Sequence, residues 1–147
     1  TMLSYNVILA IQILHLLSRA DKEGLSVSAL KYKADMRPPG LPSVVRRLLK
    51  LGWLKREGRA GYLIAADLAE KTLYDLVTAL DGEAPTLGRI NDRKEHHPLW
   101  GERAKEKIPH AMAFDQRLGG LLNERLRNTG MMELITESWL PVSAIEI

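Results

Sequence analysis

Hydrophobic residues recur at helical spacing in the first part of this chain. Residues 5–20 are apolar on most helical faces, and a helix with that pattern packs on more than one side. A shorter helical pattern follows at 27–34. A third begins near Pro42, whose missing N–H costs nothing in a first turn, and ends at Gly52. The pattern predicts three successive helices, the second of them short.

The third helical segment has two distinct sides. Its apolar side, which we expect to face the core, holds Leu41, Val44, Val45, Leu48 and either Leu49 or Leu51. Its polar side, which we expect to face outward, holds Ser43, Arg46, Arg47 and Lys50. Two prolines and a glycine at 38–40 predict the turn that separates this helix from the one before it.

A β-hairpin is predicted after the third helix. Trp53–Glu57 and Tyr62–Ala66 have the composition of strands, and the glycines within residues 58–61 suit a tight connection between them. Thr72 then begins another helix, where Asp75 stands at the third position and completes a capping box.

Helical patterns also occupy the C-terminal half. They predict helices at 99–108, 110–127 and 131–139, with loop at 82–98. Helix, short helix, turn, helix and hairpin, in that order, form a winged helix-turn-helix. The predicted fold class is therefore mainly α with a small β-hairpin wing, a winged helix-turn-helix followed by a long C-terminal helix.

Charge divides the chain into two unlike halves. The net charge of +3 over 147 residues is small. Residues 1–66, however, carry 11 Lys and Arg against 4 Asp and Glu, a net charge of +7, whereas residues 67–147 carry 10 against 14, a net charge of −4. A basic region joined to an acidic one favours an anion-binding module, and nucleic acid is the usual large polyanion.

The basic residues fall on the elements by which a winged helix contacts DNA. The second helix of the motif presents its N-terminal residues to base edges in the major groove, and the wing reaches the neighbouring backbone or minor groove. Arginine can hold guanine or phosphate at two points, and lysine contacts phosphate as a point charge. The candidate DNA-binding residues are Arg37, Ser43, Arg46, Arg47, Lys50, Lys55, Arg56 and Arg59. The alternative is an ordinary solvated helix and charged hairpin.

Three runs of this sequence resemble the bacterial Rrf-two family of winged-helix regulators, which includes the iron–sulfur assembly regulator and the nitric-oxide-sensing repressor. The runs are GLPSVVRRLLKLGWL at 40–54, REGRAGY at 56–62 and TLYDLVTALDG at 72–82. The resemblance covers residues 5–82 well and the remainder loosely.

This resemblance implies a homodimeric DNA-binding transcriptional regulator, more specifically a repressor that acts on a double-stranded operator. Residues 1–82 would form the DNA-binding domain, 83–109 a loop at the sensor position, and 110–147 the dimerisation helix and tail. The family's wing arginine corresponds to Arg56, and its glycine-rich wing tip to residues 58–61.

The start of the recognition helix departs from the family's pattern. Many members have Ser-x-Ser-Tyr-Leu-Glu-Gln there, whereas this chain has RPPGLPS at 37–43. Pro42 and Ser43 replace the base-reading Glu and Gln, and a proline side chain cannot hydrogen-bond a base edge. The family's usual operator is therefore not expected. The alternative function is a winged-helix interaction module that binds a protein partner or heterodimerises, with weak, non-specific DNA binding.

Cysteine is absent from the chain, which excludes the cysteine-bound iron–sulfur cluster of cluster-binding members. Lys107 stands where such members have a cysteine, three residues before His110. His96, His97 and His110 are weak candidates for another metal, since adjacent histidines in a polar loop rarely point at one ion. No cofactor or metal is predicted, and a small-molecule effector is left open.

Neither catalysis nor membrane insertion is indicated. No nucleophile elbow or phosphate-binding loop occurs, and Asp67, Glu70, Asp75 and Asp81 fit helix caps and exposed positions. The apolar run Val7–Leu17 has 11 residues, too few to span a bilayer. A signal peptide has basic residues ahead of its apolar run, and no basic residue precedes this one. The expected protein is a cytoplasmic non-enzyme.

Overall fold

Nine elements of secondary structure follow one another in the part of the chain that the computed structural model describes, namely residues 3–33, 38–59, 61–82, 109–137 and 139. They are α1 (Tyr5–Ser18), α2 (Val27–Lys33), α3 (Leu41–Lys50), β1 (Leu54–Glu57), β2 (Gly61–Ile64), a 3₁₀ helix (Ala66–Glu70), α4 (Leu73–Asp81), α5 (Pro109–Arg127) and α6 (Met131–Thr136). Three helices followed by a two-stranded hairpin confirm the predicted winged helix-turn-helix, and the hairpin β1–β2 is its wing. The predicted helix at 99–108 and loop at 83–98 lie outside the described residues.

Side-chain caps begin helices α2 and α4. The Ser26 hydroxyl accepts the N–H of Ala29 at 3.1 Å at the start of α2. At the start of α4 the capping box closes in both directions, since Asp75 N–H donates to the Thr72 hydroxyl and Thr72 N–H donates to the Asp75 carboxylate. These bonds satisfy backbone donors that have no partner inside a helix. The predicted capping box is confirmed.

Helix α1 lies at the centre of the core. It packs against α2, α3, α4, α6 and β2, as its nearly all-round apolar pattern predicted. Its buried residues are Val7, Leu9, Ala10, Ile13, Leu14 and Leu17. Helix α3 turns Leu41, Val44, Val45 and Leu48 towards it. Leu49 is half-buried and Leu51 is 42% exposed, so Leu49 belongs to the inward stripe. Each fully buried leucine or valine contributes about 1.5–3 kcal/mol, which fixes the orientation of α3.

The wing is attached to the helices by backbone pairing. Its strands are antiparallel, with Leu54 opposite Ile64. Leu25, just ahead of α2, exchanges two hydrogen bonds with Tyr62 of β2, at 3.1 and 2.8 Å. Leu25 therefore forms a one-residue antiparallel bridge at the outer edge of β2, which ties the wing to the segment ahead of α2.

Two glycines permit this attachment. Gly24 has φ +71°, and a Cβ built there would lie 2.3 Å from the Tyr62 carbonyl oxygen. A Cβ at Gly61 would lie 2.4 Å from the Glu23 carbonyl oxygen. Both contacts are with backbone, which cannot move aside without breaking the pairing, so neither site accepts a side chain without rearrangement.

The second strand ends earlier than predicted. The sequence pattern extended it to Ala66, but the chain enters a 3₁₀ helix, Ala66–Glu70, which was not predicted. Leu68 in this helix is fully buried, and the 3₁₀ helix packs against α6. A single apolar residue defines no periodicity, so the hydrophobic pattern could not predict that Leu68 is buried and draws the chain towards the core.

The C-terminal helices return to the start of α4. Helix α5 begins at Pro109, one residue before its predicted start, and buries Leu126, while α6 ends at Thr136 rather than 139. Leu73 N–H donates to the Thr129 carbonyl at 2.8 Å. His15 Nδ1 of α1 lies 2.6 Å from the Ile135 carbonyl oxygen, so this nitrogen carries the hydrogen.

Candidate nucleic-acid interface

Helix α3 exposes a basic side opposite its buried stripe. Pro42, Ser43, Arg46 and Lys50 are all exposed. The preceding helix α2 adds lysines at 31 and 33, and neither helix contains an acidic residue over 27–33 and 41–50. This face therefore carries positive charge with no acidic residue on the same helices to compensate it.

The first turn of α3 presents short and apolar side chains. Gly40 adopts a left-handed conformation with φ 80° and directs the chain into the helix without a side-chain cap. Pro42 and Ser43 are the first exposed side chains beyond it. Neither has the amide or carboxylate that grips adenine or cytosine, so the first turn offers only one hydroxyl for hydrogen bonds to base edges.

Arg47 does not face outward, and that prediction was wrong. Its Nη2 donates to the carbonyl oxygens of Leu80 at 2.7 Å and Ala79 at 3.4 Å, at the C-terminal end of α4. The guanidinium meets carbonyls that have no partner inside α4 and lies at the negative end of that helix. The helical pattern places Arg47 at the border of the apolar stripe, and its long side chain reaches across the border to the neighbouring helix.

Arg47→Ala is expected to destabilise the fold by about 1–2 kcal/mol, because it removes a charge-assisted bond to a partly buried carbonyl. Urea unfolding measures this loss. Arg46→Ala is the matched control: it makes the same change one residue away on an exposed side chain, and should stay within about 0.5 kcal/mol of the parent. Equal stability of the two variants would contradict the assignment of Arg47 to the α4 end.

The wing exposes its three predicted cations, Lys55, Arg56 and Arg59. Arg56 lies opposite Tyr62 in the strand register, and its Cζ is 5.7 Å from the centre of the Tyr62 ring. At that distance a guanidinium gains a modest cation–π attraction. Lys55, its neighbour in the strand, points to the other face of the hairpin. The wing thus presents cations on both faces.

The predicted DNA-contacting residues have three different outcomes. Ser43, Arg46, Lys50, Lys55, Arg56 and Arg59 are exposed, as a contact surface requires. Arg47 is bonded to α4. Arg37 lies outside the described residues. The predicted set leaves out Lys31 and Tyr32 of α2, which line a cleft against the start of α3. Their signal in the sequence was an aromatic residue between two lysines in a short helix before a proline-rich turn.

No group of three or more His, Cys, Asp or Glu able to hold a metal occurs within the described ranges. His110 is exposed at the second position of α5, whereas His96 and His97 lie outside those ranges. A cleft of about 460 Å³ lies between α1 and α6. Its His15 ring nitrogen Nδ1 and Trp139 Nε1 are already bonded to backbone carbonyls, so these two polar atoms are not directed at a ligand.

Solved structures share this architecture. The structure of CymR, the global cysteine regulator of B. subtilis, superimposes with a TM-score of 0.63 at 18% identity, covering 94% of this chain and 98% of that one. This chain has the fold of CymR. Staphylococcus aureus CymR gives a TM-score of 0.61 at 15% identity, covering 93% of this chain and 100% of that one. At such identities the likeness to CymR shows the fold alone.

The sequence comparisons give a different kind of relative. No family model matches the chain. A UPF0761 membrane protein of Chlorobium phaeobacteroides is 28% identical over 100 residues, which cover 62% of this chain. The match spans 22% of that protein's own length. Of the helices in the described ranges of this chain, none combines the length and apolarity needed to cross a membrane.

Proposed function

We propose that this chain is a homodimeric, sequence-specific DNA-binding transcriptional regulator of the Rrf-two type that acts as a repressor in the cytoplasm, without enzymatic activity or an iron–sulfur cluster. The observation that carries the proposal is the exposed basic side of α3, continued by the cations of the wing, on a fold shared with CymR. The missing cysteines separate it from the family's cluster-binding sensors.

In this proposal α3 enters the major groove. Arg46 and Lys50 lie one helical turn apart on its exposed side and contact phosphates or guanine edges. The wing contacts the adjacent backbone or minor groove through Arg56 and Arg59. Arg47 contributes indirectly, because its bonds to the end of α4 hold α3 in position.

The proposed dimer uses α5. Phe114, Leu118 and Leu121 are exposed by 64%, 38% and 56%. Their spacing puts all three on one side of the helix, and a contiguous exposed apolar patch is typical of an interaction surface. A second copy of α5 would cover it in a two-fold symmetric contact, which also places two recognition helices on two half-sites of one operator.

Arg56→Ala is the direct test of the wing. We expect a loss of about 1–3 kcal/mol on a duplex selected from a random-sequence pool, and a smaller loss on random duplex, if Arg56 contacts a base. The measurement is fluorescence anisotropy over a salt series, where each phosphate contact contributes about 0.9 to the slope of log affinity against log salt.

The matched control is Arg19→Ala, which removes an exposed arginine at the end of α1, outside α3, the wing and the apolar stripe of α5. It should leave DNA affinity unchanged. Equal losses on selected and random duplexes would make Arg56 a backbone contact. Unchanged binding by Arg56→Ala would refute the assignment of the wing to DNA.

A protein-interaction module is the second candidate function. Two observations favour it: Pro42 and Ser43 remove the family's base-reading side chains, and the matched relative is a membrane protein in which the similar region is a small part. The same titration separates the two functions. Weak binding that is equal on selected and random duplexes supports the module, whereas a clear preference for the selected duplex supports the regulator.

A further inference from the structure

A cleft of about 530 Å³ lies between α2 and the start of α3. Its walls include Tyr32 and Lys31 of α2, facing the prolines at 38, 39 and 42. Tyr32 is 86% exposed, although it is a large aromatic residue. An aromatic side chain left in solvent beside rigid apolar rings is typical of a contact surface.

The start of the cleft's α3 wall is held firmly. The Tyr5 hydroxyl of α1 donates to the Pro39 carbonyl at 2.7 Å, and Leu41 is buried in the core. The proline rings also have fixed φ angles. A surface made of such groups loses little conformational entropy when a ligand covers it. Even a small apolar contact with this surface therefore contributes to the binding affinity.

This wall is adjacent to the part of α3 that enters the major groove in the proposed function. Pro42 has no hydrogen-bonding side-chain atom, so it cannot read donors or acceptors on a base. The apolar group that a base pair displays in the major groove is the C5-methyl of thymine. Pro42 and Tyr32 therefore have the chemistry to distinguish thymine from cytosine through that methyl group.

Charge favours DNA over a protein partner in this cleft. Tyr32 lies between Lys31 and Lys33, and α2 and α3 together carry no acidic residue. A thymine methyl lies beside the phosphate backbone of its own strand, and Lys31 lines the same cleft as the apolar wall, within which a lysine is suited to contact a phosphate. The cleft is also continuous with the exposed basic side of α3.

We infer that the α2–α3 cleft recognises a thymine methyl group in the operator, with Pro42 and Tyr32 contacting the methyl and Lys31 the adjoining phosphate. The inference rests on the proposed function. It explains how a recognition helix without the family's Glu and Gln still selects a sequence.

Replacement of thymine by deoxyuridine tests the inference, because deoxyuridine keeps every hydrogen-bonding group and lacks only the methyl. A duplex is first selected from a random pool by the parent protein, and its thymines are then replaced one at a time. We expect about a threefold to tenfold loss of affinity at one thymine in each half-site, the size expected for one buried methyl.

The protein side of the test uses Pro42→Ser and Tyr32→Ala, both at exposed positions. In these variants the deoxyuridine penalty should disappear. Lys50→Gln, the control, should bind both duplexes more weakly by the same factor and so keep the penalty, with the slope of log affinity against log salt lowered by about 0.9. Lys31→Gln should lower the slope of log affinity against log salt by about 0.9. Urea unfolding of each variant checks that the fold is retained.

The failures are distinguishable. If the selected duplex binds tightly but no thymine shows a penalty, or the penalty persists in both cleft variants, the inference is overturned and the regulator function stands. If no duplex is preferred over random DNA, the inference and the proposed function fail together.

Discussion

Leu121→Glu is expected to convert the proposed dimer, of about twice 16.5 kDa, to a monomer. Leu121 lies in the exposed apolar stripe of α5 with Phe114 and Leu118. In a two-fold contact the substitution places two unpaired carboxylates in an apolar interface, and each costs several kcal/mol to desolvate. Dimerisation should therefore weaken by a factor of about 100 or more, since each 1.4 kcal/mol is tenfold.

Light scattering over a concentration series measures this change. Gln116→Glu is the matched control: it introduces the same carboxylate on the opposite, exposed side of α5, and the protein should stay dimeric. Because a monomer fills only one half-site, Leu121→Glu should also weaken binding to the selected duplex, while Gln116→Glu should not. If the parent protein itself scatters as a monomer, the assignment of this apolar stripe to a dimer interface is wrong.

Gly24→Ala should destabilise the fold by about 3 kcal/mol or more, a large share of the 5–15 kcal/mol typical of a domain. The new Cβ would lie 2.3 Å from the Tyr62 carbonyl oxygen, and φ is +71°. The left-handed conformation costs an alanine about 1–2 kcal/mol, and relief of the contact breaks the two bonds between Leu25 and Tyr62. Urea unfolding measures the loss.

Gly52→Ala separates these two causes. Gly52 has φ +81° and nothing within 4 Å of its virtual Cβ, so its alanine variant has the backbone cost without the contact. It should lose only about 1–2 kcal/mol. The difference between the variants measures how strongly the wing is held to the helices, and equal losses would show that the contact is relieved without cost. Gly24→Ala should also lower DNA affinity through the displaced wing.

The exposed positions of the candidate interface were predictable, because exposure on a helix follows from local period and charged residues in a short hairpin lie in solvent. Arg46 and Lys50 fall on the polar side of α3. Arg56 falls on the short strand β1, between the turn glycines at 52 and 58. Arg47 was not predictable in the same way. Its period places it at the border between the polar and apolar sides of α3, and its bonds depend on the carbonyl of Leu80, 33 residues later in the chain.

The cleft between α2 and α3 shows the same limit. Pro42 was recognised as a loss of hydrogen bonding, because that is a property of the residue alone. Its pairing with Tyr32 across a cleft depends on how α2 and α3 cross, which no local pattern contains. A missing base-reading group could therefore be identified from the sequence, but the surface proposed to replace it could not.

The basic character of the N-terminal region followed from a count of its charged residues. Period, caps and turn residues were sufficient for the order of helices and strands, the two sides of α3 and the capping box of Thr72. These features depend on neighbours within a few residues. The attachment of the wing through Gly24, the burial of Leu68 in a 3₁₀ helix and the turn of Arg47 towards α4 came only from the folded chain. Each depends on backbone or side chains distant in sequence, and such contacts exist only after the elements have packed.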